Sequence, residues 1–223
     1  MTLSQTEENY LKTIYMLTEA ESRTVSTNGI AAQMNTAAAS VTDMIKRLAE
    51  KGLIHYEKYR GVSLTDAGDQ KARSLVRKHR LWEVFLVQWL HFSWDEVHDL
   101  AEQLEHIQSE ELVERLDIFL NYPKFDPHGD PIPDNEGNIT ERRQILLSNI
   151  ETGNGGVTVG VNEHSPPFLQ YLDRLGINIG TRIDVIEVFE FDGSRKVMLN
   201  NETETMLSGK ICENIYLKTL NPR

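Results

Sequence analysis

The sequence predicts a mainly α-helical chain with a small β part at its C-terminal end. Apolar residues recur at helical spacing through most of residues 6–120, whereas short apolar runs separated by turn residues follow from residue 157. A loop over residues 121–138, with four of the seven prolines, separates the two patterns. We therefore expect four segments: an N-terminal domain at 1–73, a helical domain at 74–140, a linker at 141–154 and a small β-barrel domain at 155–223.

The N-terminal domain begins with three predicted helices. The first covers residues 6–17, and Ser26 caps a short second helix. Asn35 turns the chain into a third helix at about 37–51, which Gly52 closes. Two helices joined by so tight a turn are typical of a helix-turn-helix.

A predicted hairpin, with strands at 53–56 and 62–64, completes a winged helix-turn-helix. In that module the second helix of the pair enters the major groove of DNA and the wing follows the backbone. Small residues at the start of this helix would let polar side chains reach base edges, while basic residues contact phosphates. The alternative is that the small residues only help two helices to pack. The residues expected at DNA are Thr27, Ala37, Ala39, Ser40, Thr42, Asp43, Lys46, Arg47, Tyr59 and Arg60.

Charge and cysteine content limit the possible functions. The net charge is −11, but residues 24–64 hold five basic and three acidic side chains, so the DNA-binding region is locally basic. An acidic body would weaken DNA binding unless cations occupied its carboxylates. The single cysteine, Cys212, excludes an intrachain disulfide framework and a cysteine-rich zinc site. Without a signal-peptide pattern or an apolar run of roughly 18 residues, the chain is expected to be cytoplasmic and free of the membrane.

Two predicted helices carry potential metal ligands. The first, at about 69–89, has a histidine and a glutamate one turn apart, and the second, at about 95–120, confines four more ligands to an arc of roughly 100°. Buried ligands of this kind are costly without a neutralising cation, although a solvated polar face is the ordinary explanation of charges at helical spacing. The six candidate ligands are His79, Glu83, His98, Glu102, Glu105 and His106.

The loop and one helix surface give two further indications. Asp126 and His128, two residues apart on an extended chain, could add ligands, and an ordinary turn is an equal alternative. The first metal-bearing helix has more apolar surface than one small domain can bury, which predicts a twofold homodimer. The alternative is that this surface is buried in an intrachain core. The apolar residues of this helix are Trp82, Phe85, Leu86, Trp89 and Leu90.

The order of winged helix, metal-bearing helices, proline-rich loop and small barrel resembles the diphtheria-toxin-repressor family of metal-dependent transcriptional repressors, nearest its manganese-responsive branch. The resemblance covers essentially the whole chain. It implies two divalent ions per subunit, a homodimer on a palindromic operator, an SH3-like (FeoA-like) barrel, and neither enzymatic activity nor a small organic substrate. The matching segments are TEENYL (6–11), RKHRL (77–81), VHD (97–99), EH (105–106) and PHG (127–129).

The resemblance divides the candidate ligands between two sites. It implies a regulatory site of Glu102, Glu105, His106 and a first-helix residue, here Asn9. It implies an ancillary site of His79, Glu83 and His98, with Glu163 or His164 of the barrel as further candidates. Asp126 and His128 fall where the manganese branch has loop ligands. Asn9 departs from the aspartate common in that branch and from the methionine of the iron branch, so metal affinity or selectivity would differ.

The expected function is a repressor of metal-uptake genes that Mn²⁺ activates. Oxygen donors favour Mn²⁺ over Fe²⁺, while Zn²⁺ could bind in vitro. Metal would fix the first helix against residues 98–106 and space the two winged domains for successive major grooves. The alternatives are a di-metal carboxylate oxidase or a zinc hydrolase, whose Glu-x-x-His and His-Glu-x-x-His patterns the chain lacks, and a metal-independent DNA-binding module, which leaves the ligand cluster unexplained.

Overall fold

The computed structural model describes residues 3–21, 24–57 and 60–219, which fall into two compact units. The first unit comprises Met1–His79, Glu102–Leu116 and Pro133–Ile139. The second comprises Arg80–Ala101, Asp117–Ile132 and Thr140–Arg223. Each unit has its own apolar core.

The first unit begins with the predicted helix-turn-helix. Its helices are α1 (Gln5–Glu21), α2 (Thr27–Gln33) and α3 (Ala38–Glu50). The Ser26 hydroxyl caps α2 by accepting a hydrogen bond from the Gly29 N–H, and Asn35 turns the chain with a φ of 47°. The side chains of α3 that face the core are spaced by three and four residues, which leaves the opposite face of this helix to solvent. They are Val41, Ile45 and Leu48.

The wing follows as a two-stranded antiparallel sheet of β1 (Ile54–Glu57) and β2 (Gly61–Leu64). Val25 forms a β-bridge with Val62 and so ties the segment before α2 to the wing. Gly61 has a φ of 95°, and a Cβ there would lie 2.8 Å from the Val25 carbonyl oxygen. This position therefore requires glycine. The winged helix-turn-helix prediction is confirmed.

Three further helices follow: α4 (Asp66–Leu90), α5 (Val97–Leu104) and α6 (Glu110–Phe119). The prediction of one continuous helix over 95–120 was wrong, because the chain leaves helical geometry at residues 105–109. Ser109 starts the new helix, since its hydroxyl accepts a hydrogen bond from the Leu112 N–H. Glu105 and His106 therefore lie in a turn and not on a continuous helical face with Glu102.

The second unit is built around a six-stranded sheet with the order β3-β8-β4-β5-β6-β7. All of its paired strands are antiparallel. The sequence predicted a small β part from the short apolar runs after residue 157, but it did not identify β3, β7 or the short helix α8. The elements are β3 (Ile145–Leu146), β4 (Gly155–Val161), α7 (Pro166–Arg174), β5 (Arg182–Val188), β6 (Arg195–Leu199), β7 (Thr203–Leu207), α8 (Gly209–Cys212) and β8 (Ile215–Thr219).

The predicted loop at 121–138 contains neither a helix nor a strand, and part of it lies against the sheet of the second unit. The Val161 N–H donates a hydrogen bond to the His128 carbonyl oxygen. Gly129 has a φ of 91°, and a Cβ there would lie 2.1 Å from the Val159 carbonyl oxygen. The loop can therefore approach β4 closely only because residue 129 is glycine. None of the described helices combines the length and the apolar character that a membrane span requires.

Candidate metal centre

A cluster of charged side chains lies at the turn after α5 in the first unit. Its central member is Glu105, whose side chain is fully buried. The Lys12 ammonium from α1 lies 2.7 Å from Oε1 and 2.8 Å from Oε2 of this carboxylate. His79 Nδ1 lies 2.6 Å from Glu105 Oε2. Burial acts to raise the pKa of Glu105, but the hydrogen bond from His79 and the charge of Lys12 outweigh it and hold the pKa below its usual range.

The neighbouring residue of the turn, His106, extends the cluster. Its Nδ1 lies 2.6 Å from Glu8 Oε2, and the amide of Gln108 donates a hydrogen bond of 3.0 Å to the other oxygen of Glu8. On α1, Asn9 follows Glu8 and precedes Lys12 by three residues, so all three share one side of the helix. The Asn9 Oδ1 atom is buried and has no hydrogen-bond partner among the described residues.

These donors fit a divalent cation. Carboxylate oxygens, an imidazole nitrogen and an amide oxygen are ligands that hard and borderline ions take. A buried carbonyl oxygen without a partner costs free energy, and a bound cation would remove that cost. The side chains able to hold an ion here are those of Glu8, Asn9, Glu102, Glu105 and His106.

A second cluster lies within the second unit, where Glu83 of α4 meets two loop residues. One ligand atom from each of Glu83, Asp126 and His128 lies within 4.8 Å of the others, and all three side chains are buried. His98 Nδ1 lies 3.7 Å from Glu83 Oε1 and is half exposed. The cluster thus combines two carboxylates with an imidazole at a separation that one ion could bridge.

His128 is oriented by contacts outside the cluster. Its Nε2 lies 2.8 Å from the Trp94 carbonyl oxygen, to which it donates, so Nδ1 faces Glu83 and Asp126 at 3.7 and 3.9 Å. A backbone acceptor that fixes one imidazole nitrogen and directs the other to the ligand position is usual for metal-binding histidines. Nδ1 is therefore the nitrogen that an ion bound at this cluster would meet.

Without a metal ion this cluster retains protons. Burial lowers the pKa of His128, but the hydrogen bond and charge of Glu83 outweigh it and raise this pKa to about 9. Burial, followed by the charge of Glu83, raises the pKa of Asp126 to about 7. The Arg80 guanidinium, 3.5 Å from Asp126 and 3.0 Å from Asp130, opposes that rise. A metal ion that bound here would displace these protons.

Of the two barrel candidates, His164 lies beside this cluster. Its ring stacks on that of His128 with centroids 4.7 Å apart, and burial lowers its pKa. Glu163 instead accepts a hydrogen bond from the Ser165 N–H at the start of α7, and that bond lowers the pKa of Glu163. His164 is therefore the candidate that the fold brings to His128.

Three family models together match almost the whole chain. Iron dependent repressor, N-terminal DNA binding domain, matches residues 2–62. Iron dependent repressor, metal binding and dimerisation domain, matches residues 65–134, and the FeoA domain matches residues 145–219.

Individual relatives give the same result. A solved structure described as a manganese-dependent transcriptional repressor in complex with manganese has a TM-score of 0.86 and 35% identity, covering 96% of this chain and all of that one. The diphtheria toxin repressor of Corynebacterium glutamicum is 30% identical over 201 residues, covering 82% of this chain and 85% of the relative. The iron-dependent repressor IdeR of Mycobacterium tuberculosis is 38% identical over 131 residues, 59% of this chain and 56% of that protein.

This chain belongs to the iron-dependent repressor family. It therefore combines an N-terminal DNA-binding domain, a helical dimerisation domain and a C-terminal FeoA domain of SH3-like type in a metal-dependent transcriptional repressor. The enzyme alternative is excluded by the relatives, which are repressors.

Most of the residues predicted to contact DNA lie on α3 or at its start. Thr42 is half-buried and its hydroxyl donates a hydrogen bond to the Ala38 carbonyl oxygen. Thr27, at the start of α2, is also half-buried, and Tyr59 lies outside the described residues. The remaining predicted residues are exposed: Ala37, Ala39, Ser40, Asp43, Lys46, Arg47 and Arg60.

The repressor also has an exposed apolar surface in its second unit. The predicted Trp89 and Leu90 are each about half exposed, but Leu86 is buried in its own chain and does not contribute. Phe119 of α6 packs against Trp89 with ring centroids 4.6 Å apart and is likewise half exposed. Ile118 and Tyr122 enlarge this surface, which the sequence alone assigned only to α4.

The sequence also missed two members of the first cluster, Glu8 and Lys12. Both contact residues that lie more than 90 positions further along the chain. Their only local signal was their position on either side of Asn9 on the polar side of α1.

Proposed function

We propose that this chain is a manganese-responsive repressor in which the first cluster is the regulatory metal site. The observation that carries the proposal is the position of the cluster. Buried Glu105 and the unpartnered Asn9 Oδ1 lie in the same compact unit as the winged helix-turn-helix. A change of charge in this cluster therefore acts on the helix that begins the DNA-binding domain.

The cluster residues link α1 to the turn after α5. Lys12 contacts Glu105, and Glu8 contacts both His106 and Gln108. A divalent ion would supply two positive charges to these carboxylates. The side chains of Glu102, Glu105, His106 and Asn9 would bind it, hold α1 against the turn and reduce the negative field near DNA.

We assign Glu83, Asp126 and His128 to a second, ancillary site, together with His98 and with His79, one helical turn before Glu83. His164 is a stronger candidate than Glu163 to complete it because its ring packs on His128. Both donor sets consist of oxygen and nitrogen atoms, which favours Mn²⁺ over softer ions. Cys212, the one cysteine of the sequence, is buried in the core of the C-terminal sheet and offers no thiolate to either cluster. Fe²⁺ is the second candidate for the activating ion.

We further propose that the repressor binds a palindromic operator as a twofold dimer in the cytoplasm and controls metal-uptake genes. Support comes from the exposed face of α3, which carries Lys46 and Arg47, and from the apolar surface around Trp89 and Phe119. Because a twofold dimer presents two equivalent recognition helices, its operator repeats the same half-site in inverted orientation.

DNA binding by the full-length protein tests the regulatory site. Fluorescence anisotropy would be measured on DNA from upstream of the genes that neighbour this one, any metal-transporter gene first. Each measurement would be made with a chelator and with Mn²⁺, Fe²⁺ or Zn²⁺. We expect Mn²⁺ to tighten binding of the wild type by at least about tenfold, equivalent to about 1.4 kcal/mol. The Glu105→Ala/His106→Ala protein should lose this response.

A milder variant tests the same site in case the double mutant fails to fold. Glu102→Gln alters a ligand whose side chain is 45% exposed, and it should also weaken the Mn²⁺ response. The matched control is Glu111→Ala/Arg115→Ala, which removes an exposed ion pair from α6 in the same unit. The proposal fails if folded Glu105→Ala/His106→Ala protein binds the operator as the wild type does with and without Mn²⁺.

A further inference from the structure

Lys12 is a buried cation within a cluster of proposed metal ligands. Its side chain is 10% exposed, and its ammonium contacts both oxygens of Glu105 at 2.7 and 2.8 Å. The same ammonium lies 3.4 Å from Glu102 Oε1. One positive charge of the chain thus occupies the space between two carboxylates that we assign to the metal.

Stability alone gives a weak reason for this arrangement. Lysine is rarely buried, because removing an ammonium from water costs several kcal/mol, and an apolar residue of similar size often stabilises a fold as well as a buried ion pair does. Lys51, the C-cap residue of α3, shows the ordinary arrangement of a lysine that pairs with a carboxylate of α1. Its ammonium pairs with Glu7 at 2.5 Å and remains more exposed.

A divalent ion on Glu102 and Glu105 would lie within a few ångströms of the Lys12 ammonium. Like charges at that distance repel strongly in a buried environment, so the ammonium opposes the incoming ion or must leave the carboxylates. The exposed side of the cluster at Glu102, whose side chain is 45% exposed, gives the flexible lysine a route to solvent.

We propose that Lys12 is an internal counter-ion that competes with metal for Glu102 and Glu105 and so sets the metal concentration at which the repressor responds. This inference rests on the proposed function of these carboxylates as ligands. In the metal-free protein Lys12 neutralises buried Glu105 and keeps α1 in contact with the turn. In the metal-bound protein the same charge reduces the net free energy of metal binding.

The test compares the wild type with five variants of the full-length protein by calorimetric titration with Mn²⁺. The event assigned to this site is the one that Glu102→Gln weakens. Lys12→Met keeps an apolar stem without the charge, and Lys12→Gln keeps a neutral donor in case the methionine protein folds poorly. Lys12→Arg keeps the charge, and Lys51→Met is the matched control that removes a different lysine from its ion pair with Glu7 of α1.

We expect Lys12→Met and Lys12→Gln to bind Mn²⁺ at this site at least about tenfold more tightly than the wild type, because a like charge is removed. Lys12→Arg and Lys51→Met should remain within about twofold of the wild type. The melting temperature of the neutral Lys12 variants should fall in the metal-free state and return to the wild-type value when Mn²⁺ saturates the site.

The results that overturn the inference differ from those that overturn the proposed function. The competition alone is overturned if folded Lys12→Met or Lys12→Gln binds Mn²⁺ no more tightly than the wild type, while wild-type binding still depends on Glu102 and Glu105. Equal losses of melting temperature in the metal-free and saturated states also overturn it, since Lys12 would then be only structural. Absence of any Mn²⁺ binding that depends on Glu105 overturns both.

Discussion

The protonated cluster of Glu83, Asp126 and His128 predicts that the metal-free repressor loses stability as the solution becomes alkaline. His128 has a usual pKa of 6.5 and a folded pKa of about 9, because its interactions with Glu83 and Asp126 outweigh burial. A raised folded pKa stabilises the protein fully below pH 6.5, and this contribution is lost as the pH rises through 9. The difference corresponds to about 3 kcal/mol. Asp126 acts in the same direction, since its pKa is raised to about 7.

Tryptophan fluorescence can isolate this effect. The three tryptophans of the sequence, at positions 82, 89 and 94, all belong to the second unit, which contains His128. Urea unfolding of chelator-treated protein, followed by this signal at pH 6.5, 7.5 and 9, gives the free energy of unfolding of that unit. We expect it to fall by about 3 kcal/mol between the first and last pH.

Two variants show whether His128 causes the decrease. His128→Gln should be less stable at pH 6.5 and should lose much less stability on going to pH 9. The exposed His55→Gln, on the wing, should follow the wild type. The reasoning is refuted if the wild type and His128→Gln lose equal stability over this range, or if the stability of the metal-free wild type rises.

Three further predictions concern the loop, the dimer and DNA. Gly129→Ala should destabilise the second unit by about 1 to 3 kcal/mol in urea unfolding, because φ is 91° and the Cβ would meet the Val159 carbonyl oxygen. Gly153→Ala is the control and should destabilise the unit less, because its φ is 84° but its Cβ would enter open space. Phe119→Asp should produce monomers in sedimentation equilibrium, because it charges the exposed apolar surface; a persistent dimer would place the interface elsewhere. Lys46→Ala should weaken operator binding uniformly and reduce the slope of log affinity against log salt by about one, and an unchanged slope would remove Lys46 from the phosphate contacts.

Sequence patterns sufficed for elements whose local signals were strong. Ser26 as a cap, Asn35 at the turn and Gly52 after α3 each mark a boundary by their own backbone chemistry, and the structure confirms all three. The break between α5 and α6 was missed because residues 97–120 contain neither proline nor glycine and their apolar periodicity continues. Ser109 was the available signal, but serine also occurs within helices.

The members of the two proposed metal clusters could be predicted only in part from the sequence. Helical spacing identified His79 and Glu83, which are one turn apart on α4, because a period of 3.6 residues can be read directly from the sequence. Glu105 was selected by the same spacing, although it lies in the turn after α5. Lys12 and Arg80 were not identified, since a cation that pairs with a distant carboxylate has the same local pattern as any surface lysine or arginine. Only the tertiary fold shows that Lys12 and Arg80 belong to the clusters. The stacking of His164 on His128 is likewise visible only in the folded structure.

The hydrogen bond between the Val161 N–H and the His128 carbonyl oxygen has a consequence for truncation. The loop that holds Asp126 and His128 belongs to the same compact unit as the C-terminal sheet, and Trp94 is part of its core. A chain shortened before β3 would keep the residues of the first cluster and lose the surface on which His128 is positioned. The C-terminal domain therefore helps to position Asp126 and His128, the proposed ancillary ligands, and its removal would affect more than the FeoA domain itself.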